Sequence, residues 1–376
     1  MEFIIDNECF NKAISDVNRA VSLKTTFPIL TGIKIIANNN GLTLVGSNSD
    51  FIIEKVIPLM IDGRKVLEVY NPGSVVISAK FLSEIVKKLP EKIHIKVNEK
   101  HLVTIQSNEI VTNLYGFDAE EYPTLPQIDE NKHVTISSED LIEAIRQTVF
   151  AVSKSEARPV LTGVNMSVKD SRLKCVATNS QRLALREVAI NSNVDGTFIV
   201  PSTSLNELIK IINNEHSVLN IFFTDRYMIC KSNTLSFFSR LIDGIYPNVS
   251  GLLPENSKTT ITLSTNQLLK SIDRACLFAS EWKNNNVHLE IMNDLKIQIS
   301  SNSSEIGKIE ETLNIKAITG ETNLNISIDG SFLMDALKAI KEEEIRISFG
   351  GSMRPILIEP IDNLSYLHLI SPVRSY

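Results

Sequence analysis

Short stretches in which apolar and polar residues alternate give way repeatedly to longer ones in which apolar residues recur every three or four positions. The first pattern suits a half-buried strand and the second an amphipathic helix. Phe10, Ala13, Ile14, Val17 and Val21 form one helical stripe, and Phe81, Ile85 and Leu89 a second. Leu141, Ile145, Val149 and Val152 form a third, and Leu205, Leu208 and Ile212 a fourth. Leu268, Ile272, Ala275 and Ala279 make a fifth, and Phe332, Ala336 and Ile340 a sixth. Ser137 or Ser138 stands where the third helix needs a cap, with Glu139 and Asp140 in a first turn that favours negative charge. Strand pairs come after the first, third and fifth stripes: "GIKIIANNNGLTLVGSN", "GVNMSVKDSRLKCVATN" and "VHLEIMNDLKIQISSN", each folding back over a polar turn.

The same plan repeats on the scale of domains. "FPILTG" from Phe27 returns as "RPVLTG" from Arg158, which sets Pro28 and Pro159 131 residues apart, about one domain length. The flanks agree, since each copy comes after a short β-rich run and a helical stripe and precedes a strand pair. A third copy, "TTITLSTNQLLKSIDRACLFASEWKNNNVHLEIM", keeps the plan and loses the Pro-x-Leu-Thr element. There Asn286-Val287 stands where Gly32-Ile33 and Gly163-Val164 stand. The second halves, "SVVISAKFLSEIVKKLPEKIHIKV", "TFIVPSTSLNELIKIINNEHSVLNIFF" and "LNISIDGSFLMDALKAIKEEEIRISF", each read strand, capped helix, strand. "EEYPTLP" and "GIYPNVSGLLP" are Pro-rich closures. The expected organisation is three similar domains over residues 1–126, 127–254 and 255–376, each of two β-α-β-β-β-like halves. That is an α+β fold with sheets covering paired helices.

Composition narrows the function more than the fold. Apolar residues make up 43% and charged residues 22%, which fits a globular chain with room for two or three cores. No apolar run reaches the length of a membrane span, and "MEFIIDNECF" is acidic where a targeting signal would be positive. Both features point to a cytoplasmic protein with no membrane partner. Cys9, Cys175, Cys230 and Cys276 lie far apart and read as buried thiols, and the histidines form no HxxxH or HxH pair. Neither a metal nor another cofactor is expected. A net charge of −6 excludes a chain that is basic all over, but not one that gathers its cations on one face. The predicted helices carry such cations: Lys12 and Arg19, Lys80 and Lys87, Arg146, Lys210, Lys270 and Arg274, and Lys338 and Lys341. Either these are ordinary solvated faces, or the helices share one basic surface that attracts phosphates without reading bases.

Segments spread over the whole chain resemble the bacterial DNA sliding clamps, the beta subunit of DNA polymerase III. They are "FPILTG", "RPVLTG", "ATNSQRLALREV" (177–188), "RLIDGIYPNV" (240–249), "GGSMRPILIEP" (350–360) and "HLISPVRSY" (368–376). The resemblance implies the DNA clamp fold, three similar domains per chain, and a head-to-tail homodimer closed into a ring with helices inside and sheets outside. It further implies a processivity factor with no catalysis of its own. Such a ring encircles double-stranded DNA irrespective of sequence. It tethers the replicative polymerase, the clamp loader, repair polymerases and mismatch-repair proteins through short peptide motifs. A ring holds DNA topologically, so weak basic contacts suffice for sliding.

Matched residue by residue, the resemblance places a partner-peptide cleft at Leu161, Thr178, Arg182, Leu183, Pro247, Leu252 and Pro355. It adds Leu369, Ser371, Pro372, Val373 and Arg374 from the tail. Ser180 and Gln181 belong to the same segment, where relatives often carry Gly-His, and Gly251 stands where some carry arginine. The tail is apolar although most termini are polar and frayed, and Leu367 to Ile370 is expected to form a last edge strand. For DNA, Lys24, Arg158 and Lys283 occupy matching loops, with Lys12, Arg19, Lys80 and Lys210 on the helices. Leu277 and Phe278, at a helix end, are expected at the dimer seam. Two rival readings stand beside the clamp: a peptide-binding scaffold that never encircles DNA, and an enzyme that uses Ser180. The second lacks a histidine near Ser180, a GxSxG turn and any acid–base constellation.

Overall fold

The computed structural model describes residues 1–22, 25–212, 217–254, 256–279, 286–292, 295–303 and 307–373. Among these are six α-helices: α1 (Asn7–Asn18), α2 (Ala79–Val86), α3 (Ser138–Arg146), α4 (Ser202–Ile212), α5 (Thr265–Ala279) and α6 (Gly330–Ala339). None is long and apolar enough to cross a membrane. The caps are readable locally. The Asp6 carboxylate accepts the Cys9 amide at the start of α1, and Asp329 accepts the Ser331 and Phe332 amides at the start of α6.

The chain divides into two compact units, Met1–Ser138 with Glu207–Leu241, and Glu139–Asn206 with Ile242–Tyr376. In the first unit a five-stranded sheet runs in the order Ile110–Tyr115, Leu102–Ser107, Lys92–Val97, Glu2–Asp6, Leu67–Asn71. A larger sheet runs Val134–Ser137, Val218–Phe223, Tyr227–Lys231, Leu235–Arg240, Phe51–Pro58, Gly41–Ser47, Gly32–Asn38, Gly73–Ser78. Helix α1 packs on α2 and touches both sheets. Its buried Phe10, Ala13, Ile14 and Val17 fill the space between, and Phe10 meets Phe3 edge to face at 6.3 Å. The second unit has the same two-layer build. Its nine-stranded sheet runs Gly196–Pro201, Gly163–Lys169, Arg172–Thr178, Arg182–Ala189, Tyr366–Ile370, Ile356–Pro360, Glu344–Phe349, Thr259–Ser264, Ala317–Gly320. A four-stranded sheet runs Gly307–Asn314, Lys296–Ser303, Asn286–Met292, Leu324–Asp329, with α5 packed on α6.

The repeat survives into register. Gly32 pairs with Ser78, Gly163 with Pro201 and Asn286 with Asp329, so in each copy the first residue of the strand meets the residue just before the second helix. In the second copy the hairpin turn is made by Asp170 and Ser171, both in the left-handed region at φ 50° and 54°, as a tight hairpin requires.

Three expectations need correcting. The buried face of α2 is Ala79, Leu82, Ser83 and Val86, which leaves Phe81 55% exposed and Ile85 half-buried; of the predicted stripe only Leu89, beyond the helix end, is buried. In α6 the buried residues are Gly330, Leu333, Ala336 and Leu337; of the predicted stripe Ala336 and Ile340 are buried, while Phe332 is only half-buried. The last strand, Tyr366–Ile370, is no edge: it pairs with Arg182–Ala189 on one side and Ile356–Pro360 on the other. Tyr366, His368 and Ile370 are buried on one face of this strand and Leu369 on the other, which accounts for its apolar run.

Candidate functional site

Neighbouring residues of an extended strand point to opposite faces, and this rule builds the site. Leu183 and Leu185 of one strand lie opposite Leu369 and Leu367 of the last strand, in direct register. Val176, across from Leu185, completes a buried apolar floor of Val176, Leu183, Leu185 and Leu369. Half-buried Tyr246, Val249, Leu357 and Leu367 pack around it. The Tyr246 hydroxyl accepts the Thr178 amide at 3.1 Å, and burial pushes its phenol up to about 12. The rim remains apolar and open: Leu252 is 53% exposed and Ile245 93%.

The turn beside this floor is rigid. Asn179 accepts the amides of Gln181 and Arg182, and the Thr178 hydroxyl accepts the Ser180 amide and donates to the Arg182 carbonyl. Ser180 is held at φ 76°, a conformation costly for a residue with a side chain. The Gln181 carbonyl accepts the Ser371 amide at 2.8 Å, which ties the tail to the turn. Thr178, Ser180, Gln181, Leu183, Leu369 and Ser371 are therefore brought together. Pro247 and Leu252 lie exposed on the segment that supplies Tyr246 and Val249, and Pro355 is half-buried directly before the strand that supplies Leu357. Leu161 is 3% exposed in the 3-10 turn Pro159–Thr162 and is not part of the floor. Pro372 and Val373 run along another strand, Pro372 bridging Ile328 and the Val373 amide donating to Ser327. Arg374 lies outside the described residues.

Arg182 is the main correction. Strand alternation turns its side chain to the face opposite Leu183, where it is 7% exposed. There its guanidinium donates to Asp335 at 2.7 Å and to the Phe150 carbonyl, and stacks 4.4 Å from the Phe332 ring centroid. It is a strut beneath the floor rather than a wall of the cleft. Arg186, two turns of the alternation away, repeats the arrangement: it lies 5.3 Å from the Tyr366 ring centroid, donates to Ser365 and pairs with Glu143 at 3.7 Å. Between the two, His368 is 1% exposed with neither ring nitrogen hydrogen-bonded, and it lies 5.3 Å from Phe150 and 5.8 Å from Tyr366. Burial holds its imidazole neutral, with a pKa lowered to about 3. Sequence reasoning missed this polar layer, although the alternation in "REV" and "YLHLI" carries the signal.

Of the cations expected to meet phosphates, Lys12 and Arg158 are exposed, and Lys80 is exposed beside the Phe81 ring at 5.8 Å. Arg19 and Lys210 both pair with Glu207, at 3.3 and 2.6 Å, which halves their combined excess charge. Lys24 and Lys283 lie outside the described residues. On α5, Leu277 is 67% exposed and Phe278 half-buried. Two sheet edges escaped sequence reasoning. Ile110–Tyr115 borders the five-stranded sheet with Ile110, Val111 and Tyr115 exposed, and Gly307–Asn314 borders the four-stranded one. Arg274 of α5 is bound to Glu311 on the second edge at 2.9 Å.

Models of the DNA polymerase III beta subunit match the chain in three parts: its N-terminal domain over residues 1–126, its central domain over 135–248 and its C-terminal domain over 250–374. The beta sliding clamp of Bacillus subtilis (strain 168) is 45% identical over 379 aligned residues, and that of Halalkalibacterium halodurans 42% over 381, each covering both chains completely. The crystal structure of a DNA polymerase sliding clamp from Bacillus subtilis superposes with a TM-score of 0.97 at 44% identity. The beta subunit from DNA polymerase of Streptococcus pyogenes superposes at 0.95 and 33%, and both cover the full length of the two chains compared.

Proposed function

The chain belongs to the DNA polymerase III beta subunit family, and from that premise we propose that two copies close head to tail into a ring around duplex DNA. It is a processivity factor of DNA replication: the ring slides and tethers the replicative polymerase. We propose that the clamp loader, repair polymerases and mismatch-repair proteins dock on the same ring, and that it performs no chemistry itself.

One observation carries the ring. Within each unit, the large sheet is completed by pairing one strand from an earlier third of the chain with one from a later third: Phe51–Pro58 with Leu235–Arg240, and Arg182–Ala189 with Tyr366–Ile370. The exposed edges Ile110–Tyr115 and Gly307–Asn314 are what a third such junction between copies would need. A head-to-tail contact of this kind is heterologous, and it closes when its rotation does. Leu277, exposed on the helix beside the second edge, would be covered there. Lys12, Arg19, Lys80, Lys210 and Arg158 are proposed to supply weak phosphate contacts, which a topological link makes sufficient. A ring assembled on a nicked circular duplex should withstand high salt and be released when the circle is cut open. Salt-sensitive release from the intact circle would contradict it, because charge contacts alone are screened.

The partner site is proposed on the floor of Leu183, Leu185, Leu369 and Val176. An apolar floor with exposed Leu252 and Ile245 at its rim suits an extended peptide with apolar anchors. Leu183→Asp should lower the affinity for a partner's tail peptide at least a hundredfold while leaving ring assembly intact.

A further inference from the structure

The first unit contains a second floor built like the one just described, and it is covered by the chain itself. Ile52 pairs with Phe238 as Leu183 pairs with Leu369, and Val45 sits on the neighbouring strand as Val176 does. Ser47 pairs with Ile52 as Thr178 pairs with Leu183. The tyrosines match too: Tyr122 donates to the Val45 carbonyl on its floor, and Tyr246 binds Thr178 on the other. Val45, Ile52 and Phe238 are buried together with Leu30, Val76, Phe222 and Ile229.

The two floors differ in the path of the chain beyond the tyrosine. After Tyr246, Val249 packs on its floor as Leu125 does on the other, and the chain then enters the 3-10 helix Ser250–Leu252, where Leu252 is left 53% exposed. After Tyr122 it stays on the sheet, and Leu125 and Ile128 pack onto the apolar cluster. Tyr122 is only 3% exposed, whereas Tyr246 is half-buried. Further along, Glu130 pairs with Lys231 at 3.2 Å, and the His133 ring lies 5.6 Å from Phe222. The segment thus lies on its floor as a bound peptide would, with two apolar anchors three residues apart and an acidic residue pinned beyond them.

We infer that the strand pair Phe51–Pro58 and Leu235–Arg240 forms a second peptide site, held shut in cis by residues 122–130. Its ligand is an extended peptide with apolar side chains at positions i and i+3. This rests on the reading that the open floor is a peptide site. A tethered segment competes at an effective concentration on the order of millimolar, so the closed site is silent to ordinary ligands until its own segment is loosened.

The test uses the full chain with Leu183→Asp, which disables the open floor. The probe is a fluorescein-labelled peptide copying residues 121–130, EYPTLPQIDE. With the native segment in place, no uptake is expected below about a millimolar. Adding Leu125→Ser and Ile128→Ser should create one saturable site per chain and tighten binding at least tenfold. The gain should vanish when the probe carries the same two serines. Amide hydrogen exchange over 122–130 is monitored in the same samples. Release of the segment without uptake of the probe overturns the inference, as does continued protection of the segment after its anchors are removed. If the double variant does not fold, Ile128→Ser alone is read in the same way. A tail peptide that binds the native chain and is lost on Leu183→Asp reports the open floor by itself, so failure there is told apart from failure here.

Discussion

The two internal junctions use one backbone device over opposite chemistries. Under the first, Phe51 and Phe237 stack at 5.4 Å with their planes 17° apart, in a layer that is apolar but for buried Lys55 and Ser239. Under the second lie Arg182, Arg186, Tyr366 and His368, held by stacking and a few ion pairs. An apolar layer derives its stability from removing surface from water. A buried ionic layer gains little net stability, because desolvation offsets attraction, but it penalises any altered register that leaves a charge unpaired. The floor above the ionic layer is the one with an exposed apolar rim at Leu252 and Ile245. Fixed register beneath it would hold the walls of the proposed peptide site in place.

The largest effect should come from breaking the apolar layer. Phe237→Ala removes a fully buried ring and should cost about 3–5 kcal/mol in urea unfolding. Arg182→Ala should cost about 3 kcal/mol, since the Phe150 carbonyl and the Phe332 face lose their partner. It should disturb peptide affinity far less than Leu183→Asp, and an equal loss in both variants would restore Arg182 to the cleft.

The second comparison is in pH. His368 has a folded pKa lowered to about 3 by burial, below the unfolded value of about 6.5. Its neutral form is favoured by folding, so the stability it permits is whole above about pH 6.5 and is lost as pH falls toward 3. At pH 5 the loss should be about 2 kcal/mol relative to neutral pH. His368→Leu should remove that slope from unfolding curves, and an unchanged slope would place the acid sensitivity elsewhere. The smallest effect belongs to the turn. Ser180→Gly relieves a positive φ and should stabilise the chain by up to about 1 kcal/mol, read as a shift in urea midpoint, with peptide affinity unchanged.

Much of the architecture was legible in one dimension. Stripes such as Leu268, Ile272, Ala275 and Ala279 are buried as their spacing predicts, and the 131-residue repeat carries over into strand register. What failed was information held by distant partners. Phe81 reads as core until α2 is seen to present Leu82 instead. The strand Tyr366–Ile370 looks terminal in sequence and is interior in the sheet, because its partner Arg182–Ala189 lies near the middle of the chain. Arg182 fails differently, since the signal was present. If Leu183 faces the cleft, its neighbour in a strand cannot, and matching by segment alone overlooks that alternation. The edges Ile110–Tyr115 and Gly307–Asn314 could not be recognised as unpaired until every other strand had found its neighbour.

The central claim is that the junction seen twice within the chain occurs again between chains. Sedimentation of the purified protein, with electron imaging at the same concentration, tests it most directly. A two-chain mass and a ring with an open centre are the predicted result, with Leu277→Asp shifting the mass toward one chain. A single-chain mass at every concentration, with no ring in the images, would contradict it.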